Sequence, residues 1–242
     1  MYLFSVALQI ILESLPISSS GHARLLGVLM PDYIDKLAHG PTVVIICVYF
    51  YKDLCNLLFN FKRFGQEVAV WSLSIVMATS VTVGLYLFMQ SMSNHFPLWI
   101  GFLVTASLLF STRWLPDHHA IAPSFTKIVV LGALQGVAGL PGISRLAITY
   151  VGACWLGYSP SIAFRISCAL QVPLFMAGFL LGCVGAWHHG GVSMSLGGLL
   201  VICGAMVVAY FLLWFVERLM LEGRLWYLGW YMLLPTCCAL IS

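Results

Sequence analysis

ESLPISSSGH, Glu13 to His22, interrupts an apolar run: a carboxylate, a proline and three consecutive serines separate Met1–Leu12 from Gly21–Met30. Each flank is about half the roughly 20 residues that a helix needs to cross a bilayer. The stretch therefore predicts two short helices joined at a polar tip, a re-entrant hairpin rather than a span. Such a tip is tolerated at membrane depth only where protein or a water-filled cavity covers it. The pattern returns near the middle of the chain, where LPGIS (Leu140–Ser144) separates Ile128–Leu140 from Ser144–Leu156.

The rest of the sequence supplies the membrane. The 242 residues are 61% hydrophobic and 8% charged, with mean hydropathy +0.99, far from the roughly 25% charged residues of soluble domains. Apolar spans are expected over Leu37–Phe59, Val68–Met89, Pro97–Ser111, Ile162–Trp187, Ser195–Val216 and Leu225–Ile241. They are continuous and do not alternate, so they read as helices rather than barrel strands. No Lys or Arg precedes the first apolar run, so a cleaved leader is not expected. The eight cysteines show no C-x-x-C spacing and read as small buried hydrophobes. A net charge of +3 gives no reason to expect a nucleic-acid partner.

The order is then hairpin, three spans, a loop near Asp117–Pro123, hairpin, three spans, all in one domain over 1–242. Three spans reverse the chain, so the second half (about 117–242) enters from the face opposite to the first (about 1–116). The fold expected is an all-α polytopic membrane protein with an inverted repeat whose broken hairpins meet near the midplane. Charge gives the same count. Lys52, Lys62, Arg63, Arg113, Lys127, Arg218 and Arg224 fall in loops on one side, against Arg24 and Lys36 on the other. The positive-inside rule makes the first side cytoplasmic and turns both termini and the first hairpin's mouth outward.

The hairpins carry the chemistry. Glu13 lies inside an apolar region while the other acidic residues fall in loops or toward span ends; at membrane depth it either pairs with an arginine or lines a polar site. Gln9 lies four residues earlier on the same helix face, and the two could offer oxygens to a hard cation such as Mg²⁺. Ser18, Ser19 and Ser20 precede a helix, where they either cap it or help its free N–H groups hold an anion. His22 suits a general base or a phosphate donor, unless it is a satisfied core histidine. Arg145 opens the other short helix with a forked donor suited to phosphate. His39 and Arg165 are either site residues or residues at span ends. Together these groups point to a phosphorylated lipid as ligand.

QIILESLPISSSGH and PGISRLAIT resemble the two signature motifs of the undecaprenyl pyrophosphate phosphatase family, the bacitracin-resistance type. DKLAHGPT (Asp35–Thr42) and AFRISCALQVP (Ala163–Pro173) resemble two further family stretches, so that the likeness covers nearly the whole chain in order. The resemblance implies a plasma-membrane enzyme that hydrolyses undecaprenyl diphosphate to the monophosphate, usually with a divalent cation (Mg²⁺ or Ca²⁺), and recycles the carrier for cell-wall glycans. Carried over, Gln9 and Glu13 fall on the acidic or metal motif, Ser19 on the nucleophile or phosphate-contacting serine, and His22 on the base. Gly21 closes the serine motif, and Ser144, Arg145 and Thr149 fall on the phosphate-binding motif. The chain departs from the pattern in having Gln9 for a carboxylate, Leu146-Ala147 for Ser-Gly, and a short length. The alternative from a different class is a polyprenyl-phosphate flippase, because inverted repeats with broken helices also build transporters.

Overall fold

A computed structural model of the chain describes residues 2–28, 30–59, 61–92, 95–115, 124–192 and 194–241. The described elements are helical. The first hairpin is α1 (Leu3–Glu13) and α2 (Ser19–Leu25); α3 (Asp32–Leu37), α4 (His39–Tyr49), α5 (Tyr51–Phe59), α6 (Phe61–Met92) and α7 (Leu98–Ser111) follow. The second hairpin is α8 (Phe125–Val137) and α9 (Arg145–Trp155), followed by α10 (Pro160–His188), α11 (Leu196–Leu221) and α12 (Tyr227–Ile241).

Among the described residues, three stretches are long and apolar enough to cross a membrane: Trp71–Met89, Pro160–His188 and Leu196–Leu221. The expected span over Leu37–Phe59 is instead broken into pieces. Pro41 has no N–H and its ring crowds the carbonyl four residues earlier, which bends the chain at Leu37–Ala38, and a second break falls at Phe50. The last expected span is the 15-residue α12, which contains Pro235. Lys62 and Arg63, expected in a loop, stand at the start of α6. The expected loop at Asp117–Pro123 lies outside the described residues.

Local chemistry starts the short helices where the serines are. Ser18 Oγ accepts from Gly21 N at 3.2 Å and caps α2, and Ser144 Oγ accepts from Ala147 N at 3.3 Å and caps α9. Packing then crosses between the halves of the chain. α1 lies on α11, α8 on α6, α4 on α10 and α7 on α12. The α6–α8 contact is close enough that a Cβ on Gly132 would lie 2.4 Å from Ala78 O.

Backbone approaches even closer hold the second tip. Gly142 has φ +88°, a conformation side chains disfavour, and a Cβ on Gly101 of α7 would lie 2.0 Å from Pro141 O. Thr105, one turn along α7, donates to Gly142 O at 2.8 Å and accepts from Ser144 N at 3.0 Å. A Cβ on Gly21 of α2 would lie 2.9 Å from Gly142 Cα. The two hairpins therefore touch at Gly21 and Gly142, and that contact sets the distance between their capped helix starts.

Thr105→Val keeps the shape but leaves a buried carbonyl and a buried N–H unpaired, at a cost of about 1–3 kcal/mol. The expected result is a thermal unfolding midpoint lower by several degrees for the purified protein in detergent, at about 2–4 °C per kcal/mol. An unchanged midpoint would show that the threonine bridge does not hold the tip.

Candidate active site

The helix starts at Ser18 and Ser144 open into one small pocket. Its wall includes Glu13, Ser18, Ser19, Ser20, Ser144, Arg145, Leu146, Gln171 and Phe175, and it leaves about 20 Å³ of room for the centre of a water molecule. Two helix N-termini aim free N–H groups and positive dipole ends at the same volume, an arrangement that favours an anion.

Glu13 sits at the end of α1, buried to 8% exposure. Oε1 accepts from Gln9 Nε2 at 3.0 Å and from His39 Nδ1 at 2.6 Å, and Oε2 accepts from Thr42 Oγ1 at 2.5 Å. These donors, not an arginine, hold the carboxylate. Each charge-assisted bond is worth more than a neutral one, so Glu13 is fixed in place with its charge compensated in part.

Arg145 has no carboxylate partner among the described residues. Its guanidinium lies over the Phe175 ring, 4.9 Å from the centroid. His39 stacks against the same ring at 4.9 Å. The guanidinium edge is therefore free to donate to an anion, while the ring face sets its plane. Ser19 lines the pocket, and its hydroxyl bonds no other described group; Ser18 Oγ is committed to its cap, 3.4 Å from Ser20 Oγ.

His22 is engaged through both nitrogens. A carbonyl can only accept, so Nδ1–H donates to Ser18 O at 2.6 Å; the neutral ring then accepts at Nε2 from Tyr231 OH at 3.0 Å. The histidine thus braces the serine turn, and the nitrogen that could take a proton is covered by the α12 tyrosine. Tyr231→Phe uncovers it. The expected result is a turnover within about tenfold of the parent, the worth of one hydrogen bond, against the 10²–10⁴-fold loss typical of removing a general base in His22→Gln. Equal losses in the two variants would assign the proton transfer to the tyrosine hydroxyl.

Of the expected residues, Gln9, Gly21, His22, His39, Thr149 and Arg165 do not line the pocket wall. Arg165, on α10, pairs with Asp53 at 2.8 Å, both half-exposed, because the break at Phe50 swings α5 across to it. Thr149, fully buried, donates back to Arg145 O at 2.8 Å along its own helix and is not part of the pocket wall. Gly21 acts through its close approach to Gly142 rather than as part of that wall. Thr42, Gln171, Phe175 and Tyr231 are site residues that the sequence reading did not single out. A buried amide inside an apolar span is a signal that would have found Gln171. Nothing local marks Tyr231, which arrives from 209 residues away.

No three His, Cys, Asp or Glu side chains cluster to hold a metal among the described residues. Glu13 is the one carboxylate on the pocket wall and its oxygens already accept three donors, so a hard cation there would draw most of its shell from phosphate oxygens and water.

Comparison with known proteins identifies the family. Residues 3–237 match the family model described as bacitracin resistance protein BacA. The undecaprenyl-diphosphatase of Treponema denticola is 28% identical over 94% of this chain and 91% of that protein. The undecaprenyl-diphosphatase of Desulfosudis oleivorans is 30% identical over 95% of this chain and 91% of its own. The flippase alternative gains no support from these names. A match that runs over nearly the whole chain leaves one conclusion: this chain belongs to the BacA family of bacitracin resistance proteins.

Proposed function

We propose that this protein is a membrane enzyme hydrolysing undecaprenyl diphosphate to undecaprenyl phosphate and inorganic phosphate. The observation that carries the reading is the pocket where Ser19, Glu13 and Arg145 meet at two capped helix starts, in a chain whose full-length relatives bear that activity in their names. The terminal phosphoryl group lies against the N–H groups of α2 and α9, with the Arg145 fork on its oxygens. Ser19 Oγ attacks the terminal phosphorus, the bond to the bridging oxygen breaks, and the lipid monophosphate leaves. His22 takes the serine proton at Nε2 once Tyr231 releases it. Water then hydrolyses the phosphoserine to free phosphate and regenerate Ser19. Positioned donors stabilise the charge that builds on the phosphoryl oxygens, the main requirement of phosphoryl transfer.

A divalent cation, Mg²⁺ or Ca²⁺, would be held by Glu13 with Gln9 beside it, and would neutralise diphosphate charge when bound. His39, Thr42 and Gln9 hold the Glu13 carboxylate in place by donating to its oxygens.

The chain is a single membrane domain built as an inverted repeat with re-entrant hairpins, supported by its reciprocal packing. α1 lies on α11 as α8 lies on α6, and α4 contacts α11 as α10 contacts α6. α2 meets α12 as α9 meets α7. Each relation becomes the other when the halves are exchanged. Arg113 after α7, Lys127 in α8, Arg218 at the end of α11 and Arg224 before α12 lie at one end of this scheme, so that end is cytoplasmic in the plasma membrane and the termini face outward.

The test is phosphate release by the purified protein from undecaprenyl diphosphate in detergent, with the lipid product identified by mass. One phosphate per monophosphate lipid is the expected result; no release under Mg²⁺, Ca²⁺ or chelator removes the hydrolase reading.

A further inference from the structure

A second cavity, larger than the polar pocket and mostly apolar, shares two helices with it. Its volume is about 820 Å³, at the upper end of the roughly 300–1,000 Å³ of ligand sites. The lining is apolar apart from the hydroxyls of Tyr2 and Ser195; Leu3 and Val6 of α1, Pro41 of α4, Phe179 and Cys183 of α10 and Ile202 of α11 form most of its walls.

α1 and α10 contribute to both cavities, and α4 lines only the second. Val6 and Glu13 are two turns apart on α1, and Phe179 and Phe175 are one turn apart on α10. Pro41 follows the His39 that bonds Glu13. Between these linings α4 and α10 pack closely: His39 stacks on Phe175 and lies against Gly178, while the Phe179 ring covers Gly40, where a Cβ would come within 2.5 Å of it. Two glycines, one on each helix, keep this seam thin. A molecule with a doubly charged head of phosphoryl size and a long apolar body would fill the two cavities together, and a freely diffusing lipid would gain nothing from their adjacency.

We propose that the cavity between α1, α4, α10 and α11 is the binding site for the substrate's polyprenyl chain, of which only units beyond a short chain reach Cys183, two turns past Phe175 on α10, so that it selects for chain length. The inference rests on the phosphatase reading for its head group. Burial of apolar surface supplies the affinity, and the polar pocket supplies the chemistry; remote binding of this kind lets a long substrate be used more efficiently than a short one with the same head.

Cys183 provides the test, since it lines the cavity, is exposed and belongs to no part of the catalytic machinery. Cys183→Trp fills the space. The expected result is a kcat/KM for undecaprenyl diphosphate lower by about tenfold, with that for the short-chain farnesyl diphosphate unchanged within about twofold. Equal loss on both substrates, or no loss on either, overturns the proposal. A second measurement does not depend on hydrolysis. Maleimide labelling of Cys183 in the parent protein, read by peptide mass against Cys203 and Cys237, should be slowed by undecaprenyl phosphate and not by geranyl phosphate or inorganic phosphate. Labelling slowed equally by the long and short lipids, or by neither, overturns the chain site even if the protein proves to be no phosphatase. Failure of the hydrolase reading alone would leave this protection intact.

Discussion

Glu13→Gln is expected to lower kcat/KM for undecaprenyl diphosphate by about 10²–10³-fold, the loss seen when one preorganised charge-stabilising group is removed from a site of this kind. The carboxylate is the only one on the pocket wall, and its oxygens take three donors from Gln9, His39 and Thr42. An amide keeps the size but turns one of its ends into a donor facing donors. Folding is expected to survive, with a stability loss of about 1–3 kcal/mol for the unpaired group. The same change should flatten the response of phosphate release to Mg²⁺ or Ca²⁺, because the amide no longer offers a charged oxygen. The measurement is phosphate release against cation concentration for both proteins, with circular dichroism and a thermal melt as controls. Turnover within threefold of the parent, on a protein of unchanged fold, would remove Glu13 from the chemistry.

Arg145→Lys should cost about as much although the charge is kept. The guanidinium is planar, lies over Phe175 and has no carboxylate partner among the described residues. Its fork can therefore give two parallel bonds to a phosphoryl group at the start of α9. An ammonium in its place is a point charge that neither stacks in the same way nor bridges two oxygens. The expected loss is about 10²-fold in kcat, with a smaller change in KM, because the fork acts most strongly on the charge that develops during transfer. A change confined to KM would make Arg145 a ground-state anchor.

The sequence made some of these features legible and concealed others, for physical reasons. Proline and serine runs inside apolar stretches mark broken helices whatever surrounds them, and so both hairpins and their capped starts could be located within a few residues. Glu13 and Arg145 stood out because charge is costly in an apolar setting. What remained hidden was tertiary. His22 reads as a base on its own helix, and only the arrival of Tyr231 from α12 shows that its free nitrogen is covered. Arg165 and Thr149 sit in motif-like stretches, yet one pairs with Asp53 and the other bonds its own helix. Leu146, at a motif position where a polar residue is usual in the resembled family, is buried and forms part of the pocket wall. The span expected over Leu37–Phe59 failed because hydropathy does not register the lost N–H of Pro41.

The central claim is that groups from the two hairpins act on one phosphoryl group. A double-mutant cycle tests it most directly, with phosphate release from undecaprenyl diphosphate measured for the parent, Glu13→Gln, Arg145→Lys and the double variant. Residues that act together on one transition state are strongly non-additive. The account predicts that the double variant is no more than about tenfold slower than the slower single variant. Losses that multiply, within about threefold, would mean that the two residues serve separate sites and would contradict it.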